Sequence, residues 1–386
     1  MIRIANKSKC SGCSACANIC PKQCISMAAD NEGFLYPIVN VELCVNCGLC
    51  EKICPILNEK TSVNERKVGA YAAINNNESI RLKSSSGGIF TLIAENVIDK
   101  GGVVFGAAFD NDFNLIHKYA EIKEGLDGFR GSKYVQSVIG ETYKQAKEFL
   151  EQGRAVLFTG TPCQIGGLYS YLGKDYDNLI TQDLICHGVP SPMVWRKYLE
   201  YRESVSRVKA QRMSFRRKNC GWKTYSVSFE FSNDTECVAK LTDDPYMKAF
   251  LRNLCLRPSC YDCAFKTKYR QADITLADFW GIQNVLPEMD DDKGTSLLIV
   301  NSEKGLRVLH SIKNNLTLWE IELDKAIKYN SAMISSASLP KARNKFMSAI
   351  QHKPFNKTVN KYCKVKLLNK IKSKIKSIFK RLKFGN

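Results

Sequence analysis

At 386 residues, with 44% hydrophobic and 25% charged side chains, the chain has an ordinary globular composition and length for about two to three domains. Its net charge of +19 suggests a nucleic-acid binder until the charge is located. Residues 341–386 carry 15 Lys/Arg and no Asp or Glu, which leaves 42 basic against 38 acidic residues elsewhere, a balance of +4. The basicity therefore belongs to a tail, which excludes a basic groove. The seventeen cysteines stand in metal-ligand spacings, and the opening MIRIANKSKC lacks an apolar leader. Both point to a reducing cytoplasm rather than a disulfide-stapled secreted protein. No apolar run approaches a membrane span; 102–109 (GVVFGAAF) reads as a buried strand.

In chain order, the first informative stretch is residues 1–57. Cys10, Cys13, Cys16 and Cys20 precede Pro21, and Cys44, Cys47, Cys50 and Cys54 precede Pro55. Each set is C-x2-C-x2-C-x3-C-P, the spacing of bacterial two-cluster ferredoxins, in which the fourth cysteine of a run ligates the other cluster. That rule assigns Cys10, Cys13, Cys16 and Cys54 to one 4Fe–4S cluster and Cys44, Cys47, Cys50 and Cys20 to the second. A single run could hold zinc, but two runs each closed by proline favour iron–sulfur. Between them, Met27 to Val39 reads as a hairpin turning at Asn31-Glu32-Gly33. Cys24 lies outside both runs and reads as a spare thiol. Residues 58–68 are polar and aperiodic, a linker.

From residue 69 strands alternate with helices. Strands are expected at 69–74, 101–110, 155–160, 178–186 and 225–231, and also in ADITLADFWG and TSLLIVNSEKG. Helices are expected after Gly87-Gly88, at 141–153 and at 191–205. Such alternation predicts an α/β domain with a mixed sheet over 69–335.

Three groups in this region carry chemistry. Ser84-Ser85-Ser86-Gly87-Gly88 opens an apolar helix and could offer backbone N–H groups to phosphate, although a plain helix cap uses the same letters. The strand AVLF runs into Thr159-Gly160-Thr161-Pro162-Cys163-Gln164, which places Cys163 near a helix N-terminus, where a thiol pKa is depressed. Cys163 reads as a reactive thiol, a flavin contact or a small buried residue. Cys255, Cys260 and Cys263 form a third ligand group lacking a fourth, for which Cys186, Cys220 and Cys237 are candidates. Iron–sulfur and four-thiolate zinc both fit it. His187 could donate a proton or be a hydrogen-bonded core residue. Trp222 and Trp280 read as core or as cofactor wall.

SSSGGIF, GSKYVQS, TGTPCQIGGL, CHGVPSP, RPSCYDCAFK and ADITLADFWG, in this order behind a two-cluster module, resemble the coenzyme F420 hydrogenase/dehydrogenase beta-subunit family from about residue 4 to 335. The resemblance implies FAD, a third 4Fe–4S cluster and a domain whose N- and C-terminal halves break near 150. Carried over by position, Ser86, Gly87 and Gly88 would hold the flavin phosphate or ribityl. Lys133 would neutralise charge near the ring or substrate, and Thr161, Pro162, Cys163 and Gln164 would border the ring. Cys186, Cys255, Cys260 and Cys263 would ligate the third cluster, and Cys163, Lys133 and His187 are the catalytic candidates. Where the family commonly has Gly, this chain has Ala277. Bacterial members also occur with polysaccharide-biosynthesis genes.

Residues 336–386 are expected to be a basic tail. Within it, Leu368, Ile371, Ile375, Ile378 and Leu382 recur at helical spacing opposite lysines, the pattern of an amphipathic helix on anionic lipid. A solvated tail and a helix docking on an acidic partner fit the same letters. The fold expected is therefore α+β and α/β: a ferredoxin-like module, a mixed-sheet flavin domain and a basic helix. The function expected is an iron–sulfur flavoprotein oxidoreductase in the cytoplasm, at the inner membrane face if the tail binds lipid. It would take electrons from a reduced ferredoxin- or deazaflavin-type carrier to an organic substrate, with no nucleic-acid partner. The alternative is a non-catalytic electron-transfer subunit of a larger redox complex.

Overall fold

A computed structural model describes residues 1–58 and 69–364. The expected linker lies almost wholly outside these residues, and so does the amphipathic pattern of the tail.

The N-terminal module has little apolar core beyond its cysteines. Strands β1 (Ile25–Ala29) and β2 (Leu35–Val39) pair antiparallel. Their turn is held by the Asp30 carboxylate, which accepts from the N–H groups of Glu32 and Phe34. Short helices, Ala15–Ile19 and Leu49–Lys52, follow the two cysteine loops. Ile2, Cys16, Cys24, Ile25 and Cys50 form the buried centre.

The larger part is built on one mixed sheet. Its strands are β3 (Gly69–Asn75), β4 (Val103–Phe109), β5 (Leu115–Ala120), β6 (Val156–Thr159) and β7 (Leu179–Leu184). A second group, β8 (Ala210–Arg217), β9 (Ser226–Phe231) and β10 (Glu236–Lys240), forms a separate three-stranded sheet. The main sheet is completed by β11 (Ile274–Asp278), β12 (Ser296–Val300) and β13 (Leu316–Ile321), in the order β13-β3-β12-β11-β7-β6-β4-β5. The central strands β4, β6, β7 and β11 run parallel. Parallel strands are covered on both faces, which is why β6 and its neighbours read as continuous apolar runs. Helices Ile89–Ile98 and Glu303–Ile312 cover one face through Ile93, Val97, Val308 and Leu309. Helices Thr142–Glu151 and Pro162–Leu172 cover the other through Tyr143, Ala146, Ile165 and Leu168. The expected break near residue 150 does not divide this sheet, since β4 before it pairs with β6 after it.

The three-stranded sheet packs with helix Pro192–Ser206 around Trp195, Tyr198, Phe229 and Tyr246. Here the expectation for the tail is corrected. The tail does not begin at residue 336: helices Arg343–His352 and Phe355–Cys363 bury Phe346, Met347, Ile350, Phe355 and Val359 in this aromatic core. Their high lysine content hid an apolar face. Arg343 also reaches back to the N-terminal module, donating to both oxygens of Glu32 at 2.9 and 2.5 Å.

A chain ending after Ser338 is therefore expected to aggregate or to melt far below one ending after Lys364. Phe346→Ala should cost about 3–5 kcal/mol in denaturant unfolding, the usual range for emptying a buried aromatic site.

Candidate redox site

The site lies at the carboxyl ends of the parallel strands, where open α/β sheets form their crevices. β6 ends at Thr159 and passes through Gly160 into a capping box. There the Thr161 side chain and Gln164 satisfy the first turn of helix Pro162–Leu172. β7 ends at Leu184 and leads into Ile185-Cys186-His187-Gly188, and β11 ends at Asp278. Two cavities adjoin at this edge.

The smaller, of about 290 Å³, is lined by Cys163, Cys186, Cys260 and Cys263, together with Lys266 and Arg270. Burial pushes the Cys260 thiol up to about 12 and holds Cys163 and Cys186 above the ordinary thiol range. Thiols here become thiolates only against compensating positive charge. Two cations supply it. Arg270 is 3% exposed and pairs through Nη1 with the buried Asp183 at 3.8 Å, while its Nε and Nη2 have no hydrogen-bond partner among the described residues. Lys266 Nζ donates to the carbonyls of Cys186 and Ala332, and both cations pull the Cys186 pKa down against burial. Orphaned guanidinium nitrogens beside four thiols fit an anionic iron–sulfur cluster.

Three expectations change here. Cys255 does not face this cavity. It is fully buried in the aromatic core and receives the Ser191 N–H at its backbone carbonyl. Cys163 lines the cavity in its place, and its pKa is raised, because burial and the neighbouring thiols outweigh the Thr161 hydrogen bond that lowers it. Cys220 is exposed and Cys237 stands on β10 beside Arg202; neither lines the cavity.

The larger cavity, of about 680 Å³, falls within the usual range of ligand pockets. Its charged lining is Arg130, Lys133, Arg216, Lys223 and Asp278; Arg130 pairs with Asp127, Lys223 with Asp290 and Arg216 with Asp278, so Lys133 is the lining cation with no carboxylate partner among the described ion pairs. Lys133 Nζ donates to the carbonyls of Phe129, Arg130 and Gly131 at 3.1, 3.1 and 3.2 Å. Burial, with Lys118 adding, pulls its pKa down to about 7. Arg216 donates to Asp278 at 2.8 and 3.1 Å and lies 3.9 Å over the Tyr225 ring. Trp280 lines the cavity, with Trp222 stacked behind it at 4.9 Å; Ala277 lines it too.

Ser86, Gly88, Thr161 and Gln164 border this cavity, whereas Gly87, Pro162 and Cys163 do not. Gly87 turns its N–H to the Ser296 hydroxyl at 2.9 Å, and a Cβ there would stand 2.3 Å from the Ala73 carbonyl oxygen. It is a packing glycine. Pro162 and Cys163 border the smaller cavity instead. His187 Nε2–H donates to Asn253 Oδ1 at 2.6 Å, and the run Cys186 to Val189 borders both cavities. His117, with no role expected from sequence, also lines the larger one. Its Nε2–H donates to the Thr159 carbonyl at 3.1 Å and its buried Nδ1 has no partner among the described residues. The alternation of LIHKYA was the available signal. Lys266, Arg257 and Asp278 stand inside the quoted motifs RPSCYDCAFK and ADITLADFWG, but spacing alone assigns them no role.

In the N-terminal module the thiols form two groups. Cys10, Cys13, Cys16 and Cys54 line one small cavity; burial first, then neighbouring thiols including Cys10 and Cys54, push Cys13 up to about 11. Cys20, Cys24, Cys44, Cys47 and Cys50 line the other. Cys24, expected as a spare thiol, lies 3.4 Å from the Cys20 sulfur. Among the described residues no three His, Cys, Asp or Glu side chains close on one point as ligands of a single ion would; these thiols ring cavities. The first group faces the large domain. Gly167, on the helix that begins beside Cys163, would bring a Cβ within 2.8 Å of the Cys13 Cβ.

This arrangement defines an iron–sulfur redox protein with a mixed α/β body. Residues 9–57 match the 4Fe-4S dicluster domain, and residues 153–326 match the C terminus of the coenzyme F420 hydrogenase/dehydrogenase beta subunit. Residues 153–326 are thus similar to the C terminus of that beta subunit, and residues 9–57 to a dicluster ferredoxin module. No curated protein matches it. A chain from the xenon-derivatised F420-reducing NiFe hydrogenase complex of Methanosarcina barkeri is 16% identical; the alignment covers 69% of this chain and 90% of that one, with a TM-score of 0.47. Among the described residues no helix is long and apolar enough to cross a membrane.

Gly167→Ala should cost about 1–3 kcal/mol in denaturant unfolding, because the added methyl meets Cys13 in a packed core.

Proposed function

We propose that the chain is an iron–sulfur flavoprotein oxidoreductase that takes electrons in at the N-terminal module and delivers them to a substrate in the 680 Å³ cavity. The observation that carries this reading is the wall common to the two cavities, formed by the run from Cys186 to Val189. In it, Cys10, Cys13, Cys16 and Cys54 hold one 4Fe–4S cluster, Cys20, Cys44, Cys47 and Cys50 a second, and Cys163, Cys186, Cys260 and Cys263 a third. When bound, the clusters supply single-electron transfer and FAD supplies hydride chemistry.

The side chains do the positioning. Ser86 and Gly88, with Arg216 near them, would hold the flavin phosphates. Trp280, backed by Trp222, would wall the ring against water. Lys133, with a pKa of about 7, holds and releases a proton near neutral pH, where general acid–base catalysis is most efficient. His187, committed through Nε2 to Asn253, orients the shared wall. Around the second cysteine group, Cys47, Ile38, Val41, Leu43 and Val45 are exposed, a surface suited to a docking redox carrier.

The test is metal and flavin analysis of anaerobically purified protein. Full-length protein is expected to bind FAD and iron with matching acid-labile sulfide. Cys163→Ser should lose about four irons per chain, the content of one 4Fe–4S cluster, while Cys255→Ser keeps them. The reverse pattern, or zinc in place of iron, would overturn the reading.

The lysine-backed apolar spacing of residues 365–386 supports an anionic membrane surface as a second partner. Full-length protein should co-sediment with phosphatidylglycerol-rich vesicles and lose that in 0.5 M salt, where screening removes most surface attraction; a chain ending after Lys364 should not bind. Equal sedimentation of the two chains would refute it.

A further inference from the structure

Arg257 is fully buried, yet none of the ion pairs among the described residues involves it. Its Nε donates to the Cys10 carbonyl at 2.9 Å and one Nη to the Gln136 Oε1 at 2.8 Å. The other Nη donates to the Leu35 carbonyl at 2.9 Å and lies 3.8 Å from the Cys10 sulfur. The guanidinium sits 4.3 Å from the Tyr36 ring centre. The cysteine loop is shaped round it: Gly12 has φ +71°, and a Cβ there would meet the guanidinium carbon at 2.8 Å. The residue belongs to the large domain, but its charge lies inside the N-terminal module.

A buried charge lacking an opposite charge costs several kcal/mol. Neutral carbonyls and a ring face offset part of that cost and leave the net charge standing. An anion must complete the balance, and Cys10 marks where it would be. We propose that Arg257 is the counter-charge of the cluster held by Cys10, Cys13, Cys16 and Cys54, and that it raises that cluster's reduction potential above the one at Cys20, Cys44, Cys47 and Cys50. This rests on the two-cluster reading above. A one-electron reduction adds negative charge to the cluster, and a fixed cation beside its sulfur favours the reduced form. The outer group, with Cys47 exposed, has Met1 and Lys22 at its cavity, but the Met1 ammonium is paired with Glu51 at 3.1 Å and Lys22 is exposed, so water and the carboxylate screen them where nothing screens Arg257. Electrons entering from the surface therefore run downhill toward the domain interface. Arg257 is a positioning and tuning residue; it touches a ligand, not a substrate.

The experiment is an anaerobic redox titration of full-length protein followed by EPR, with iron analysis on every sample. Loss of a signal in Cys47→Ser identifies the outer cluster. Arg257→Gln should move the inner N-terminal cluster to a more negative potential and leave the outer one in place. Arg257→Lys should restore most of the shift, and Arg343→Gln, which breaks a module-to-domain ion pair with Glu32 and makes no contact with the N-terminal cluster cysteines, should produce none. Should Arg257→Gln fail to fold, Gln136→Glu serves in its place, setting a carboxylate on the guanidinium, and the same negative shift is expected. An unmoved potential in whichever variant folds, or equal movement of both clusters, overturns the proposal while leaving the two-cluster reading intact. Wild-type protein without two N-terminal iron–sulfur signals would instead remove that reading itself.

Discussion

Helix Pro162–Leu172 makes contact with two sulfur groups at once, and the rest of the site depends on that. At its N-terminus, Cys163 faces the cavity shared with Cys186, Cys260 and Cys263. Just over one turn later, Gly167 lets the Cys13 loop pack directly on the helix backbone. Glycine in a helix interior costs about 1 kcal/mol relative to alanine. Here that cost yields a close approach between the N-terminal module and the large domain. Electron transfer falls steeply with distance, so this contact decides whether the two parts work as one conductor.

Charge follows the same line. Arg257 enters the module beside Cys10, Lys266 and Arg270 flank the second sulfur cavity, and Lys133 and Arg216 line the large pocket beyond. Arg257, Arg270 and Arg216 are buried, and Lys266 and Lys133 half-buried. Exposed lysines near these positions would be screened by water and counterions; buried ones keep their field. The +19 of the whole chain says nothing of this, because most of it lies in the last residues.

The module is fastened mainly from the large domain. Arg343 holds Glu32, Gln136 donates to the Ser11 carbonyl at 3.1 Å, and Ser191 donates to the Glu32 carbonyl. These anchors come from widely separated parts of the chain. Together they fix a small module with little apolar core, whose position no local signal specifies.

Spacing by itself determined the two N-terminal cysteine runs, because ligands of one loop must be near in sequence. Apolar runs and alternation likewise determined most parallel strands and their helices, since periodicity is local. The family's motifs named the large cavity's walls but not their facing. Which thiol completes the third group was decided by tertiary structure. Cys255 shares a short segment with Cys260 and Cys263, yet it turns into an aromatic core, while Cys163 arrives from a strand end nearly a hundred residues earlier. The same holds for Arg257, an arginine in a cysteine motif until folding puts it against Cys10, and for residues 336–363, whose apolar face needs the small sheet to meet. Side-chain direction across distant segments depends on packing, and packing is not written in any single stretch of chain.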